Sequence, residues 1–212
     1  VYNNGKYHVV WSDCCSNYDI LYSFTENGGE TWSKQKALTG PKSEFSYTPT
    51  IAAYEDKLYT VWLDSGDYDG ASDTTRDIVG AVSADNGVSW DEDSLIIDFE
   101  DTFLYKLPSI SSGQGFTYLT YQHGDATSGY DYFFIFSQDD GGTWSDAFEI
   151  TDFDSENLAY KYNKMDTIVG DKTYFSFEEE SNVFSEERND VDIYVRTTKT
   201  EDYPNDPYVK LG

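Results

Sequence analysis

Four stretches of this chain share one order of apolar, aromatic and polar positions. They align without gaps, and each places a large aromatic residue at its sixth position. β-Branched and aromatic residues dominate, as in β-strands, and no segment shows helical periodicity. The stretches are Lys6–Asp13, Lys57–Asp64, Phe116–His123 and Lys172–Glu179, with Trp11, Trp62, Tyr121 and Phe177 at the aromatic position.

A second strand follows each of these stretches at a matching position, and shorter strands precede and follow the pair. The unit recurs about every 55 residues, which suits a propeller blade of four antiparallel strands, here called A to D. We therefore predict an all-β chain that forms a single β-propeller segment of about four blades. Their approximate bounds are 1–40, 41–100, 101–152 and 153–212, and the second-strand segments are Asp19–Thr25, Asp77–Ser83, Asp131–Ser137 and Asp192–Thr198.

The hairpin between strands C and D carries the most specific motif, S-x-D-x-G-x-T-W and close variants. It occurs as Thr25–Trp32, Ser83–Trp90 and Ser137–Trp144, whereas Thr198–Asn205 lacks the Gly and the Trp. The Asp or Asn side chain accepts hydrogen bonds from the turn's own backbone, and Gly adopts a positive φ. We expect each Trp to fold back over the apolar edge of its blade.

These three motifs resemble the Asp-box, or bacterial neuraminidase repeat, and the chain looks like part of a sialidase-like β-propeller. The resemblance implies a ring of six blades, so we expect this chain to supply an incomplete ring. It also implies that the Asp-boxes support the fold and lie away from the active site.

The opposite face, where strand B passes to strand C, carries polar residues at matching positions in every unit. We consider three interpretations: a solvated rim, a cation site, and catalytic carboxylates. The candidate binding residues are Asp13, Asp19, Asp64, Asp77, His123, Asp131, Glu179 and Asp192.

One B–C loop is rich in closely spaced carboxylates, the ligands that Ca²⁺ prefers. The spacing is not that of an EF-hand, and a terminal Glu is missing. A calcium site is the only cofactor that the sequence suggests, with candidate ligands Asp64, Asp67, Asp69 and Asp73.

Sialidase activity, which the resemblance implies, needs three arginines from different blades, one of them in an Arg-Ile-Pro motif. This chain has Arg76, Arg188 and Arg196 and no such motif. Planar, bidentate Arg is suited to the carboxylate of the substrate, and an acidic face repels it. We expect no competent sialidase within these residues and name no catalytic residue. A glycoside hydrolase completed by further blades is the alternative.

A formal charge of −26 from 40 acidic and 14 basic residues excludes nucleic-acid and anionic-membrane binding. The adjacent Cys14 and Cys15 cannot join two elements; free thiols and a vicinal disulfide both remain open. No targeting signal opens the chain, which indicates a removed leader or a piece of a larger parent. We predict a non-catalytic extracellular or cell-surface propeller that binds a carbohydrate, a protein partner or Ca²⁺. A structural surface-layer or scaffold repeat is a further alternative, and an oligomer is compatible with each.

Overall fold

The computed structural model describes residues 1–13, 18–41, 43–66, 76–97, 106–125, 129–150, 158–169, 172–181 and 191–199. Within these ranges all regular secondary structure is β-strand, and the strands form four antiparallel sheets. The described residues include no helix with the length and hydrophobicity needed to span a membrane. The predicted all-β class is confirmed.

Each sheet is a meander in which neighbours in sequence are neighbours in space. The first sheet contains β1 (Tyr2–Asn3), β2 (Lys6–Ser12), β3 (Ile20–Thr25) and β4 (Lys36–Ala37). The second contains β5 (Ser46–Tyr54), β6 (Lys57–Asp64), β7 (Asp77–Ser83) and β8 (Asp91–Ile97). The third contains β9 (Lys106–Gly113), β10 (Phe116–Asp125), β11 (Gly129–Ser137) and β12 (Phe148–Glu149). The fourth contains β13 (Leu158–Val169), β14 (Lys172–Ser181) and β15 (Val191–Lys199).

Each sheet follows the predicted A-to-D order, with three strands described in the fourth. The predicted last strand, Tyr208–Leu211, and most of the fourth C–D hairpin lie outside the described residues. The predicted blade bounds stay a prediction.

Successive sheets pack face to face through apolar side chains. Between the first and second sheets, Tyr22 and Leu38 meet Trp62 and Trp90. A second cluster joins the second and third sheets, and a third covers the opposite face of the third sheet. The A strands β5, β9 and β13 contact one another in order, as blades arranged around a propeller axis do.

The aligned aromatic position marks a bulge that the sequence analysis missed. Two residues of strand A lie opposite Trp62, and two lie opposite Tyr121. Each extra pair is a residue followed by Pro, and its first member has a positive φ, +50° at Thr48 and +52° at Leu107. Such bulges bend a strand and redirect the side chains beside it. Both bulges lie near the start of strand A, at the same end of the sheet as the B–C loop.

The three C–D turns that resemble Asp-boxes, hereafter the Asp-box turns, have the predicted self-bonded geometry. In the second turn, Gly87 N donates to Ser83 Oγ at 2.8 Å, and Ser89 N donates to Asp85 Oδ1 at 2.8 Å. The first and third turns repeat this pattern, with Asn27 in place of the Asp in the first. The hydroxyl and the carboxylate or amide thus satisfy backbone donors that the tight turn leaves unpaired.

The three Asp-box tryptophans differ in burial. Trp90 is only 9% exposed and lies edge-on to Tyr22 of the preceding sheet, with ring centroids 4.8 Å apart. Trp144 is half-buried against the preceding sheet, and its Nε1 donates to Gly141 O at 3.1 Å. Trp32 is 47% exposed and lines an open groove together with Tyr7 and Val9 of its own sheet. Trp90 is buried because it also contacts the preceding sheet, and the described residues place no sheet before the first one.

Candidate functional site at the B–C end of the sheets

The predicted polar pairs lie at one end of each sheet, hereafter the B–C end. In three sheets the two members are directly opposite each other on strands B and C. In the first sheet, the Asp13 amide donates to the Asp19 carbonyl at 2.8 Å. Repeat-equivalent positions therefore share one end of the propeller, as predicted, while their role in binding stays a prediction. The opposite pairs are Asp64–Asp77, His123–Asp131 and Glu179–Asp192.

Asp64 is fully buried and accepts five hydrogen bonds. A carboxylate offers about four lone-pair sites, so these donors fill its acceptor capacity. The bonds tie the segment before β5 to the end of β6, which gives Asp64 a structural role at the B–C end. The donors are Ser43 Oγ, Glu44 N, Ser46 Oγ, Trp62 Nε1 and Gly66 N, at 2.6 to 3.2 Å.

The other described members of the pairs are also held by neighbours. Asp19 Oδ1 accepts from Thr39 Oγ1 at 2.7 Å, and Asp77 is buried. The His123 ring lies edge-on to Phe133, with centroids 5.6 Å apart. Asp13, His123 and Asp131 are half-buried.

Several predicted site residues fall outside the side chains that the structure describes. Among the described residues, no group of three or more His, Cys, Asp or Glu side chains is placed to hold a metal ion. The calcium site therefore stays a prediction. The residues outside are Cys14, Cys15, Asp67, Asp69, Asp73, Glu179, Arg188, Asp192 and Arg196.

An aromatic cluster at the B–C end was missed by sequence reasoning. Tyr18 lies edge-on to Phe45 with centroids 5.0 Å apart, and 5.8 Å from the ring of Tyr47. The Arg76 guanidinium lies over the Tyr47 ring at 5.0 Å. Phe45 is 44% exposed, and Arg76 is exposed as well. These four residues are hereafter called the aromatic platform. Tyr18 and Arg76 lie in the B–C loops of the first and second sheets, Phe45 directly precedes β5, and Tyr47 lies in β5.

Backbone contacts hold the platform in place. Ser46 N donates to Tyr18 O at 3.1 Å, and Ser65 N donates to Phe45 O at 3.2 Å. Tyr18 has a φ of +56°, and the nearby Thr48 has one of +50°. Non-glycine residues in this region are strained, and such strain clusters at ligand-binding sites. The segment that carries Phe45 is also held by hydrogen bonds from Ser43, Glu44 and Ser46 to Asp64, so the platform is preformed.

Clear pKa shifts of carboxyl groups occur at the opposite end, in the Asp-box turns. Hydrogen bonds from the Ser89 hydroxyl and amide lower the pKa of the Asp85 carboxyl. The Thr143 amide and hydroxyl do the same for the pKa of Asp139. These carboxylates stabilise turns.

No protein-family model matches this sequence, and no curated protein matches it. Solved structures do match in fold. One is an α-L-arabinanase from Penicillium chrysogenum complexed with arabinobiose, with a TM-score of 0.67, 15% identity, and coverage of 91% of this chain and 59% of that one. Another is the GH93 α-L-arabinofuranosidase of Fusarium graminearum with arabinobiose, with a TM-score of 0.68, 13% identity, and coverage of 96% and 60%.

A sialidase from Trypanosoma rangeli, in complex with the inhibitor DANA, matches with a TM-score of 0.57 and 14% identity, covering 93% of this chain and 35% of that one. This chain spans about three fifths of the two arabinan-directed enzymes. Identities this low show the fold alone, and the Asp-box family assignment stays a prediction. The chain thus shares the β-propeller architecture of a group of glycoside hydrolases that includes a sialidase.

Proposed function

We propose that this chain is a carbohydrate-binding propeller segment and that a saccharide lies on the aromatic platform at the B–C end. The observation that carries the proposal is the exposed ring of Phe45, held beside Tyr18 and Tyr47 on a fixed backbone. Ligand sites combine aromatic walls with a few polar groups that orient the ligand. Arg76 supplies five N–H donors for hydroxyl groups at the edge of the platform.

The charge of the protein favours a neutral saccharide. A net charge of −26 repels anionic sugars at long range, and a single exposed Arg76 offsets little of it. The two arabinan-directed neighbours hold arabinobiose, a neutral disaccharide. We therefore propose an arabinose-containing oligosaccharide as the ligand. The sialidase-type ligand, with its carboxylate, is disfavoured by the same argument.

The leading form of the proposal is binding without hydrolysis. Glycoside hydrolysis requires two carboxyl groups about 5 to 9.5 Å apart that flank the glycosidic bond. Asp64, the most buried carboxylate among the described side chains of the B–C end, is occupied by five structural hydrogen bonds. Hydrolysis is the second candidate, and the fold neighbours favour it because they are glycoside hydrolases.

Two further parts of the sequence interpretation are carried forward as proposals. A saccharide in a cell wall or matrix is met outside the cell, which agrees with the extracellular or cell-surface location proposed for this chain. Calcium binding by the loop that contains Asp67, Asp69 and Asp73 is the second proposal, because closely spaced carboxylates are the ligands that Ca²⁺ prefers.

The binding test is a calorimetric titration with arabinobiose and with soluble arabinan. We expect Phe45→Ala to weaken binding at least tenfold, equivalent to about 1.4 kcal/mol. Val88→Ala is the matched control, because it truncates an exposed apolar residue at the Asp-box end. Equal affinities for the two variants, or no heat with either saccharide, would contradict the proposal.

Hydrolysis is tested on the same samples by chromatography. Release of arabinose from arabinobiose would overturn the non-catalytic form and establish the second candidate. Intact arabinobiose in a sample that binds it would support the leading form.

A further inference from the structure

Asparagine is followed directly by glycine at three places in this chain. One pair forms the turn between β1 and β2, and the other two lie in Asp-box turns. In such a pair the backbone nitrogen of the glycine can attack the side-chain carbonyl carbon of the asparagine, because glycine has no Cβ that hinders the approach. Whether a pair reacts depends on what holds the two groups. The pairs are Asn4–Gly5, Asn27–Gly28 and Asn86–Gly87.

The two pairs in Asp-box turns are held by the turns themselves. Asn27 Oδ1 accepts from Thr25 Oγ1 at 2.8 Å and from Thr31 N at 3.0 Å. Asn27 Nδ2 donates to Thr31 Oγ1 at 2.9 Å. In the other pair the attacking atom is occupied, because Gly87 is buried and its N donates to Ser83 Oγ at 2.8 Å. Both pairs must therefore break bonds of their turns before they react.

The pair at Asn4 is more open. Asn4 and Gly5 are exposed and have φ values of +44° and +83°, as in the tight turns typical of Asn-Gly hairpins. A Cβ added at Gly5 would meet no atom within 4 Å, so there is room around the attacking nitrogen. Asn4 Nδ2 donates to Glu55 O at 2.9 Å and to Asp56 Oδ1 at 2.7 Å, and both bonds are exposed to solvent. Water competes for these bonds, so this pair is the least protected of the three.

The bonds of Asn4 belong to a polar contact between the first and second sheets. Asn3 Nδ2 donates to Glu55 O at 2.7 Å and to Asn86 Oδ1 at 3.1 Å. Asn86 N in turn donates to Asp56 O at 2.7 Å. The β1–β2 hairpin thus holds both the β5–β6 turn and the second Asp-box turn. These five residues, Asn3, Asn4, Glu55, Asp56 and Asn86, are hereafter called the hairpin clasp.

We propose that Asn4 is a site of spontaneous deamidation and that loss of its amide group releases the hairpin clasp. The backbone nitrogen of Gly5 attacks Asn4 Cγ and forms a new N–Cγ bond. The Cγ–Nδ2 bond breaks, and Nδ2 leaves as ammonia with the proton of the Gly5 nitrogen. Solvent water then opens the cyclic imide at one of its two carbonyl groups, which gives aspartate or isoaspartate. Water is the only co-reactant.

The product has a carboxylate where the clasp needs a donor. This carboxylate faces two acceptors, the Glu55 carbonyl and the Asp56 carboxylate, and like charges at hydrogen-bonding distance repel each other. Isoaspartate also lengthens the backbone of a two-residue turn. The hairpin cannot re-form its bonds to the second sheet, so deamidation is a one-way change in the contact between the two sheets.

The reaction is tested by incubation of the chain at neutral pH, followed by peptide mapping with mass spectrometry. We expect Asn4 to lose its amide faster than Asn27 and Asn86, with aspartate and isoaspartate as separable products. Asp56→Ala removes one acceptor of the clasp and is expected to raise the rate at Asn4 and to leave the rate at Asn27 unchanged. A rate at Asn4 no higher than at the other two pairs would overturn the proposal.

The consequence is tested with Asn4→Asp, which reproduces the aspartate product. Hydrogen exchange of the β1–β2 hairpin amides should become about tenfold faster, equivalent to a loss of about 1.4 kcal/mol. Asn27→Asp is the matched control: it makes the same chemical change in a turn whose equivalents carry Asp85 and Asp139, and it should leave these rates unchanged.

The double variant Asn4→Asp with Asp56→Asn exchanges acceptor and donor across the clasp. It is expected to restore the exchange rates of the parent chain, because the new amide group can donate to the new carboxylate. Equal hairpin exchange rates in the parent chain, Asn4→Asp and the double variant would contradict the release of the clasp.

Discussion

Gly87 offers a sharp test of the contact between the first two sheets. It lies in the second Asp-box with a φ of +86°, and a Cβ added there would lie 1.8 Å from Tyr22 Oη and 3.2 Å from Leu58 Cδ1. Tyr22 belongs to the preceding sheet, where its hydroxyl lies 2.7 Å from His8 Nδ1. Gly87→Ala must therefore displace a buried tyrosine and disturb that bond.

The equivalent glycines in the other two turns are matched controls. Gly29 and Gly141 have φ values of +96° and +90°, and the nearest atoms to an added Cβ are 3.9 and 3.7 Å away. All three alanine variants incur the left-handed backbone penalty of about 1–2 kcal/mol. Only Gly87→Ala adds overpacking, at about 1–3 kcal/mol.

We therefore expect Gly87→Ala to lower the free energy of unfolding by roughly 1–3 kcal/mol more than Gly141→Ala. Urea denaturation, followed by tryptophan fluorescence, measures both variants and the parent chain. Tyr22→Phe removes the atom nearest to the new methyl group, so the double variant should recover part of the difference. Equal destabilisation by Gly87→Ala, Gly29→Ala and Gly141→Ala would refute the described packing.

Three further predictions concern pH, the buried carboxylate and calcium. Burial lowers the pKa of His8 below 6.5, so below that pH the unfolded chain binds more protons than the folded chain, and the free energy of unfolding should fall as pH drops through 6.5. His8→Gln should flatten this dependence in urea titrations at several pH values. An unchanged pH dependence in the variant would contradict the role given to His8. Asp64→Asn replaces one carboxylate oxygen with an NH₂ group, which then lies against buried hydrogen-bond donors. It should lower the free energy of unfolding by about 1–3 kcal/mol in the same assay, and an unchanged free energy would contradict the assigned hydrogen bonds. If the loop with Asp67, Asp69 and Asp73 binds Ca²⁺, saturating Ca²⁺ should raise Tm. Ca²⁺ at 100 times its Kd adds about 2.7 kcal/mol to the free energy of unfolding. An identical Tm in Ca²⁺ and in EDTA would contradict a calcium site in this loop.

The strands were predictable because their pattern repeats. Alignment of Trp11, Trp62 and Tyr121 placed strand B in each unit, and antiparallel connection then placed the polar pairs at one end. The Asp-box turns were predictable for a local reason, since every bond in them lies within a few residues.

The aromatic platform was not predictable in the same way. Tyr18, Phe45 and Arg76 come from three separate segments. With 19 tyrosines and 13 phenylalanines in the chain, the sequence did not single out Tyr18 or Phe45, and it did not place Arg76 beside them. The saturation of Asp64 likewise depends on Ser43, which precedes β5, and on Ser46, the first residue of β5. Both features are set by tertiary contacts, which a strand pattern does not report.

Trp32 shows why an identical motif had different outcomes. Its turn makes the same local bonds as the others, yet its ring stays exposed while Trp90 is buried. Trp90 is buried because the first sheet, including Tyr22, packs against its ring. Local sequence determines the turn, and the neighbouring sheet determines the burial of the ring.

The most direct test of the proposed function is an NMR titration of the chain, labelled at its tyrosines and phenylalanines, with arabinobiose. Binding on the platform predicts that the resonances of Tyr18, Phe45 and Tyr47 shift together and saturate at one dissociation constant. The resonances of Tyr2 and Tyr7, two exposed residues of the first sheet, should stay unchanged in the same spectra. Shifts confined to Tyr2 and Tyr7, or no shifts at saturating arabinobiose, would contradict a saccharide site at the B–C end.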